Sequence, residues 1–322
     1  MKTSPRKLTC GIVAAIILLL VIATIGGSFY MLDYSLSPDP NRQANNRNSW
    51  NRYYKELPEM RPWMDSLRQH HALRDTFIKM ASGERHHAYY MRAHSFTPKT
   101  ALLVHGYHDS ALEMIHIGWL YHHLLGYNIL LPDLHAHGSS EGDDVQMGWK
   151  DRLDVLQWAK VADRLFRGPT PHTRMVVHGV SMGAATTMCL SGENTPGYIR
   201  AFVEDCGYTS VWDEFDYELK DQFGLPSFPL MWTTSALCKL KYGWSFGEAS
   251  PLRQVAKCNK PMLFIHGTAD TYVPTRMVHP LYEAKSAPKS ISLMPGAIHA
   301  RSFQHNTSEY IRQVKSFCQK NI

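Results

Sequence analysis

The chain is 322 residues long and 44% hydrophobic, enough for one large α/β domain with an appendage or for two small domains. Its 34 Lys and Arg exceed its 28 Asp and Glu by only 6, and they are spread along the sequence rather than gathered into a basic stripe, so no nucleic-acid partner is expected. There is no repeat at a fixed period and no long low-complexity tract, which argues against a solenoid or a disordered scaffold.

Lys2, Arg6 and Lys7 precede an uncharged run from Leu8 to Leu32 whose apolar heart is Gly11 to Ile25. A signal-peptide core is usually about 7 to 15 residues and a spanning helix roughly 17 to 25. The run therefore reads as an uncleaved N-terminal transmembrane anchor over residues 1–34. Gly26, Gly27 and Ser28 would also suit a signal peptidase, so a cleaved signal peptide is the alternative. Either form exports the domain: positive residues before the span hold the N-terminus in the cytoplasm, which places everything after about Asp33 outside. The expected location is the cell membrane, single-pass, with an extracytoplasmic domain.

Residues 35–51 turn to Ser, Pro, Asn and Arg and read as a flexible linker, with the domain proper over 52–322. Trp63, Met60 and Leu67 suggest a helical segment between Tyr53 and His71. Phe77 to Met80 and Ala88 to Met91, separated by Ser82-Gly83-Glu84, suggest an opening β-hairpin. Short apolar runs then alternate with longer amphipathic stretches, as buried parallel strands alternate with crossover helices. The runs are Ala101 to His105, Asn128 to Leu131, Met175 to His178, Ala201 to Glu204, Met262 to His266 and Ile291 to Met294. Helices are expected at Ala111 to Leu125, Trp149 to Phe166, Ser181 to Leu190, Thr275 to Ala284 and Ser302 to Gln319. The pattern is that of an α/β chain with a doubly wound, mostly parallel sheet.

One interval, about 207–260, is too long for a single crossover and is crowded with aromatic residues, among them Trp212, Phe215, Phe223, Trp232 and Phe246. It reads as an inserted cap whose aromatics serve partly as its own core and partly as the wall of a pocket for an apolar or acyl group. Of the six cysteines, Cys10 lies in the apolar run and five lie in the exported domain. Cys238 and Cys258 flank Lys239 to Lys257 and could form a disulfide in an oxidising compartment; the alternative is that all five are small buried apolar residues.

Gly179-Val180-Ser181-Met182-Gly183 gains meaning from the β-branched strand before it and the helix-forming Ala184 to Leu190 after it. A serine on such a tight strand-to-helix turn is thrust into the open at a helix N-terminus, where amides and the helix dipole favour a developing negative charge. It needs a histidine to take its proton and an acid to orient that histidine. Asp270 follows the penultimate strand and His299 the last, both on carboxyl-end loops, giving the order Ser181, Asp270, His299. Asp205 also follows a strand and is the competing acid. Two amides must receive the oxyanion: that of Met182, after the nucleophile, and that of Tyr107, where His105-Gly106-Tyr107 leaves the first parallel strand.

Two further segments carry a family likeness. Leu131-Pro132-Asp133-Leu134-His135-Ala136-His137-Gly138-Ser139-Ser140-Glu141-Gly142 resembles the Asp-x-Arg-x-His-Gly-x-Ser-x-Gly loop of the α/β-hydrolases, and Glu204-Asp205-Cys206-Gly207-Tyr208-Thr209-Ser210 resembles the segment leading into their cap. From about Phe77 to Phe317 the chain resembles the extracytoplasmic bacterial branch of that family related to the S9-type serine peptidases. The resemblance implies ester, thioester or amide hydrolysis with no metal or organic cofactor, and implies the same triad. His135 departs from it, standing where the family has arginine.

His135-Ala136-His137 also begins like the His-x-His-x-Asp-His ligand run of metallo-hydrolases, but Ser139 and Ser140 occupy its second half, so no metal is expected. The pairs His70-His71, His86-His87 and His122-His123 read as surface residues, and His178 and His266 as satisfied core histidines. The function expected is a serine hydrolase acting on a small-molecule ester, with an aminopeptidase-like activity on a peptidyl substrate, or a silent membrane-anchored binding protein, as alternatives.

Overall fold

The computed structural model describes residues 5–322, with side chains from Thr9 onward; Lys2 and the side chains of Arg6 and Lys7 lie outside the described residues. Eight strands form one sheet: β1 (Arg74–Lys79), β2 (Arg85–Met91), β3 (Lys99–Val104), β4 (Asn128–Pro132), β5 (Arg174–Val180), β6 (Ile199–Asp205), β7 (Met262–Gly267) and β8 (Lys289–Met294). Their spatial order is β1-β2-β4-β3-β5-β6-β7-β8. The hairpin β1–β2 is antiparallel and β2 runs antiparallel to β4, while β4, β3 and β5 through β8 are mutually parallel. The continuous apolar runs of β3 to β7 are buried on both faces, whereas edge strand β8 alternates.

The helices are α1 (Pro5–Leu36), α2 (Arg42–Glu56), α3 (Arg61–Gln69), α4 (Ile115–Trp119), α5 (Asp151–Phe166), α6 (Met182–Ser191), α7 (Val211–Phe223), α8 (Leu230–Tyr242), α9 (Pro251–Val255), α10 (Val278–Ala284), α11 (Ser302–His305) and α12 (Thr307–Asn321). On one face of the sheet Trp158 and Phe166 of α5, Met188 of α6 and Leu281 of α10 pack with Leu102, Val177 and Phe264. On the other, Trp50, Met64, Ile117, Tyr310 and Val314 pack with Leu103, Val176 and Ile265. The helix expected over Ala111 to Leu125 is a 3-10 turn, the short α4 and a π turn in succession. Because β4 lies on one side of β3 and β5 on the other, the connections diverge at β3 and β5, and a crevice opens at their carboxyl ends.

Residues 35–51 are not a loose tether. α1 continues to Leu36 and α2 begins at Arg42. The polar composition of α2 hides one narrow face, Asn46, Ser49, Trp50 and Tyr53, at helical spacing and buried. Three of its members are paired: the Asn46 side chain accepts from Leu112 N at 2.8 Å and donates to Asp133, and Ser49 and Tyr53 donate to Glu113 at 2.8 and 2.6 Å. Two aromatics and a set of paired polar groups suffice to dock a helix that hydropathy reads as linker.

α1 has a window of mean hydropathy 2.7, none of it buried, so it is long and apolar enough to cross a membrane. Its last three turns behave differently. Ser28, Leu32 and Leu36 are buried, Ser28 Oγ lies 2.6 Å from Thr233 Oγ1 of α8, Tyr107 donates to Ser35 O at 3.0 Å, and Val145 N donates to Leu36 O at 2.8 Å. Between β6 and β7, α7 and α8 pack on one another and α8 on α1, while α9 returns to α6. Trp244 and Phe246 are buried in the core of this insertion, whereas Phe228 and Trp232 are exposed. All six cysteines carry free thiols; Cys238 and Cys258 are both buried in the apolar core, as small hydrophobes rather than a disulfide.

Candidate active site

β5 ends at Val180 and α6 begins at Met182, leaving Ser181 alone at the turn with φ 57° and ψ −122°. A residue with a Cβ is rarely held there, and the strain persists only because its surroundings dictate it. Ser181 N donates to Asp205 O and Ser181 O accepts from Ala185 N, at 2.9 and 3.0 Å. The flanking glycines are dictated by space: a Cβ on Gly179 would overlap the Gly183 carbonyl, and one on Gly183 the carbonyls of Val104 and His105. β3, β5 and α6 thus meet backbone to backbone beneath the serine.

From there a hydrogen-bonded chain runs across three loops. Ser181 Oγ lies 2.8 Å from His299 Nε2, and His299 Nδ1 lies 2.8 Å from Asp270 Oδ2. With Nδ1 donating to the carboxylate, Nε2 is left to accept the serine proton. Asp270 is held by the amides of Tyr272 and Val273, both 3.0 Å from Oδ1. Burial alone would raise its carboxyl, but hydrogen bonds from His266 and His299 hold it below the ordinary aspartate value. Asp205, the competing acid, points elsewhere and accepts from Ser302 Oγ at 3.0 Å. Burial pushes its carboxyl up to about 6 despite that bond.

His266 is more than a core histidine. Its Nε2 donates to Val273 O at 2.9 Å and lies 3.4 Å from Asp270 Oδ2, so the acid is flanked by two imidazoles. The position of His266 at the end of β7, four residues before Asp270, was the available signal. His178, by contrast, is satisfied by Tyr121 and Tyr310 hydroxyls at 3.1 and 3.0 Å, as a core histidine should be.

Gly106 brings the loop after β3 against the serine. A Cβ there would touch Ser181 Cβ at 3.4 Å and crowd Asp109 Oδ2 at 2.8 Å, so a side chain at this position would displace the Asp109 carboxylate. Tyr107, Met182 and Ser181 open together onto a cleft of about 340 Å³. Its walls are mainly apolar and come from α7 and α8, with Phe215, Leu219 and Met231, and from α1, with Met31 and Tyr34. The contribution of α1 has no sequence signal, because nothing in an anchor pattern says its last turns will fold back over a pocket. Two acids, Glu214 and Glu218, face the cleft one turn apart on α7. Burial, with Glu218 and Asp270 nearby, pushes the Glu214 carboxyl well above the usual range, and burial raises Glu218 as well.

The loop after β4 is fastened by Asp133, which accepts from His87 Nδ1 at 2.7 Å, Ala111 N at 2.6 Å and Ser139 N at 2.9 Å. Histidines expected at the surface are therefore inside: His86, His87 and His122 are buried, while His70, His71 and His123 are exposed. Paired histidines look hydrophilic, yet each of His87 and His122 has a partner awaiting it, Asp133 for the first and the Arg92 carbonyl for the second.

The sequence profile of the prolyl oligopeptidase family matches residues 137–322, more than half of the chain and all three members of the hydrogen-bonded relay. The chain belongs to that family. Among relatives, YqkD of Bacillus subtilis is 32% identical over 244 residues, covering 74% of this chain and 77% of its own. Among solved structures, the Pyrococcus furiosus esterase Pf2001 superposes with a TM-score of 0.62 at 23% identity, over 77% of this chain and 92% of the esterase. A Pyrococcus horikoshii acylaminoacyl peptidase superposes with a TM-score of 0.55 at 16% identity, over 77% of this chain and 40% of the peptidase. At such identities these two speak for the fold, which is that of the α/β-hydrolases, and prolyl oligopeptidase family membership makes the chain a hydrolase.

Proposed function

We propose that the chain is a membrane-anchored serine hydrolase that cleaves esters of an apolar acyl group through an acyl-enzyme. The relay Ser181, His299, Asp270, with 2.8 Å at each step, is the observation that carries the reading. His299 removes the Ser181 proton as Oγ attacks the carbonyl, and the amides of Tyr107 and Met182 receive the oxyanion. His299 then returns the proton to the leaving alkoxide, and water, activated by the same histidine, releases the acid. Asp270 fixes the tautomer and balances the imidazolium.

The apolar cleft supports an acyl rather than a highly polar substrate, and Met31 and Tyr34 tie that cleft to the anchor. In this reading the bare apolar part of residues 1–34 forms the span, the last turns of α1 and the docked α2 belong to the hydrolase domain, the cap lies over 207–260, and the domain faces outward. Phe29, Tyr30 and Tyr34 at the end of the apolar run, with Phe223 and Trp232 of the cap exposed, match the aromatic residues that favour the headgroup region. Alkaline carbonate washing of membranes is expected to leave the chain in the pellet at full length; a soluble, shortened chain would refute the anchor while leaving the hydrolase reading intact.

One observation favours peptidase activity instead: Glu214 and Glu218 face the cleft as a pair that could meet a substrate ammonium. The burial that pushes the Glu214 carboxyl well above the usual range weighs against it, since a buried acid that resists ionising is a poor partner for an amine. A panel of p-nitrophenyl esters beside aminoacyl anilides decides, with esters expected to be the better substrates. Met31→Trp, which fills the cleft, is expected to lower the decanoyl-to-butyryl ratio of kcat/KM by about tenfold, while Ile17→Trp on the bare part of α1 leaves it unchanged. Equal ratios in both variants would remove α1 from the substrate wall.

A further inference from the structure

At the far side of the loop after β4, three residues from two separate segments converge. Glu84 and His86 lie at the start of β2 and His135 in the loop that β4 feeds, and their ligand atoms all lie within 4.8 Å of one another. Glu84 Oε2 is 3.3 Å from His135 Nδ1 and 3.9 Å from His86 Nε2. For bond lengths of about 2.0–2.2 Å in a tetrahedral shell, neighbouring donor atoms lie roughly 3.3–3.6 Å apart; the Glu84–His135 separation meets that range, and the Glu84–His86 separation of 3.9 Å needs only a small inward turn of the Glu84 side chain to meet it.

We propose that Glu84, His86 and His135 form a binding site for a divalent metal ion of the zinc type, with the fourth position open to water. The arrangement behind the ligands supports it. His86 Nδ1 faces Asp154 Oδ2 at 3.6 Å and His135 Nε2 faces Asp144 Oδ1 at 3.4 Å. Each imidazole thus turns one nitrogen toward the shared centre and the other toward its own carboxylate, the pattern that orients metal-bound histidines. The side chain of His86 is only 1% exposed, and neither of its nitrogens has a hydrogen bond; His135 Nε2 has none either. A buried imidazole with two unused nitrogens is costly unless something binds it. A proton on His135, bridging Glu84 and Asp144, would use one imidazole and leave His86 orphaned, whereas a metal uses both. Glu84, about one-third exposed, gives the ion a way in.

The site would act at a distance from the chemistry, since none of the three residues lines the cleft. It joins the β1–β2 hairpin to the loop on which the anchor stands: Arg42 donates to Gly142 O at 3.0 Å, and Val145 N donates to Leu36 O. A metal here staples the sheet edge to that platform. The run His135-Ala136-His137 fails as a metal motif at Ser139 and Ser140, and nothing in it announces that a second histidine comes from β2.

The test uses the untagged full-length chain in detergent, stripped with a strong chelator and titrated with zinc against a chromophoric competitor. One equivalent is expected to bind, and cobalt in its place is expected to give the visible absorption of a tetrahedral site. His86→Ala and Glu84→Gln should each weaken zinc binding by at least tenfold. Asp154→Asn should weaken it about 10–100-fold, and the surface variant His172→Ala should leave it unchanged. Labelling by a fluorophosphonate reports that each variant is folded, and Glu84→Gln, at a partly exposed position, stands in should His86→Ala fail to fold. Binding of no zinc by the wild-type chain, or equal binding in Glu84→Gln, would overturn the site.

Discussion

Ser181→Ala is expected to abolish labelling by a fluorophosphonate and to lower kcat on a p-nitrophenyl ester by about 10⁴- to 10⁶-fold, with little change in KM or in thermal unfolding. The size follows from what the hydroxyl does. In the proposed mechanism it supplies the attacking oxygen, and no other side chain among the cleft residues pairs an oxygen nucleophile with His299. The small effect on stability follows from the turn itself, since Ser181 makes its structural bonds through its backbone N and O to Asp205 and Ala185, and alanine keeps both. Because φ is 57° at this residue, removing the hydroxyl does not relieve the strain. Retention of labelling would show that another group is nucleophilic; turnover reduced less than tenfold with labelling lost would show that the hydrolysis measured does not pass through Ser181.

How much of this was legible in the residues depends on whether the force that places them is local. The six parallel strands are continuous apolar runs of Val, Ile, Leu and Phe bounded by polar or glycine residues, and each lies within two residues of its expected start. The elbow is largely local as well, because Gly179 is required by the Gly183 carbonyl four residues on, with only Gly183 answering to the backbone of β3. Non-local partners were not legible. α2 is a helix because Asn46 and Tyr53 meet Asp133 and Glu113, residues 60 to 87 positions away in sequence, and nothing inside its own polar segment announces them. The buried histidines fail for the same reason: His87 is internal because Asp133 needs a donor, not because of its neighbours in the chain. The wall that α1 gives the cleft is the extreme case, since hydropathy separates anchor from domain whereas the last turns of α1 pack between Tyr107 and α8.

The choice between two acids carries the second large effect. Asp270→Asn is expected to lower kcat by about 10⁴-fold at neutral pH, while Asp205→Asn is expected to cost less than tenfold in kcat and to act on stability instead. Asparagine at 270 can offer its amide NH₂ to His299 Nδ1, which would then accept and leave the proton on Nε2, the nitrogen that takes the Ser181 proton in the proposed mechanism. Its oxygen can still accept from the amides of Tyr272 and Val273, so the loop keeps its shape while the tautomer is wrong. Asp205 has no such control over His299: its Oδ1 accepts from Ser302 Oγ, and its carboxyl, raised by burial to about 6, is already near neutrality in charge at mildly acid pH. A carboxyl raised in the folded state favours unfolding once it must ionise, so Asp205 lowers stability increasingly as pH climbs from the unfolded aspartate value through about 6. Asp205→Asn removes that pH-dependent loss, and the gap in melting temperature between variant and wild type is expected to shift in the variant's favour as pH rises from 5 to 8. The opposite kinetic result, with Asp205→Asn inactive and Asp270→Asn at full turnover, would transfer the role of acid from the loop after β7 to the end of β6.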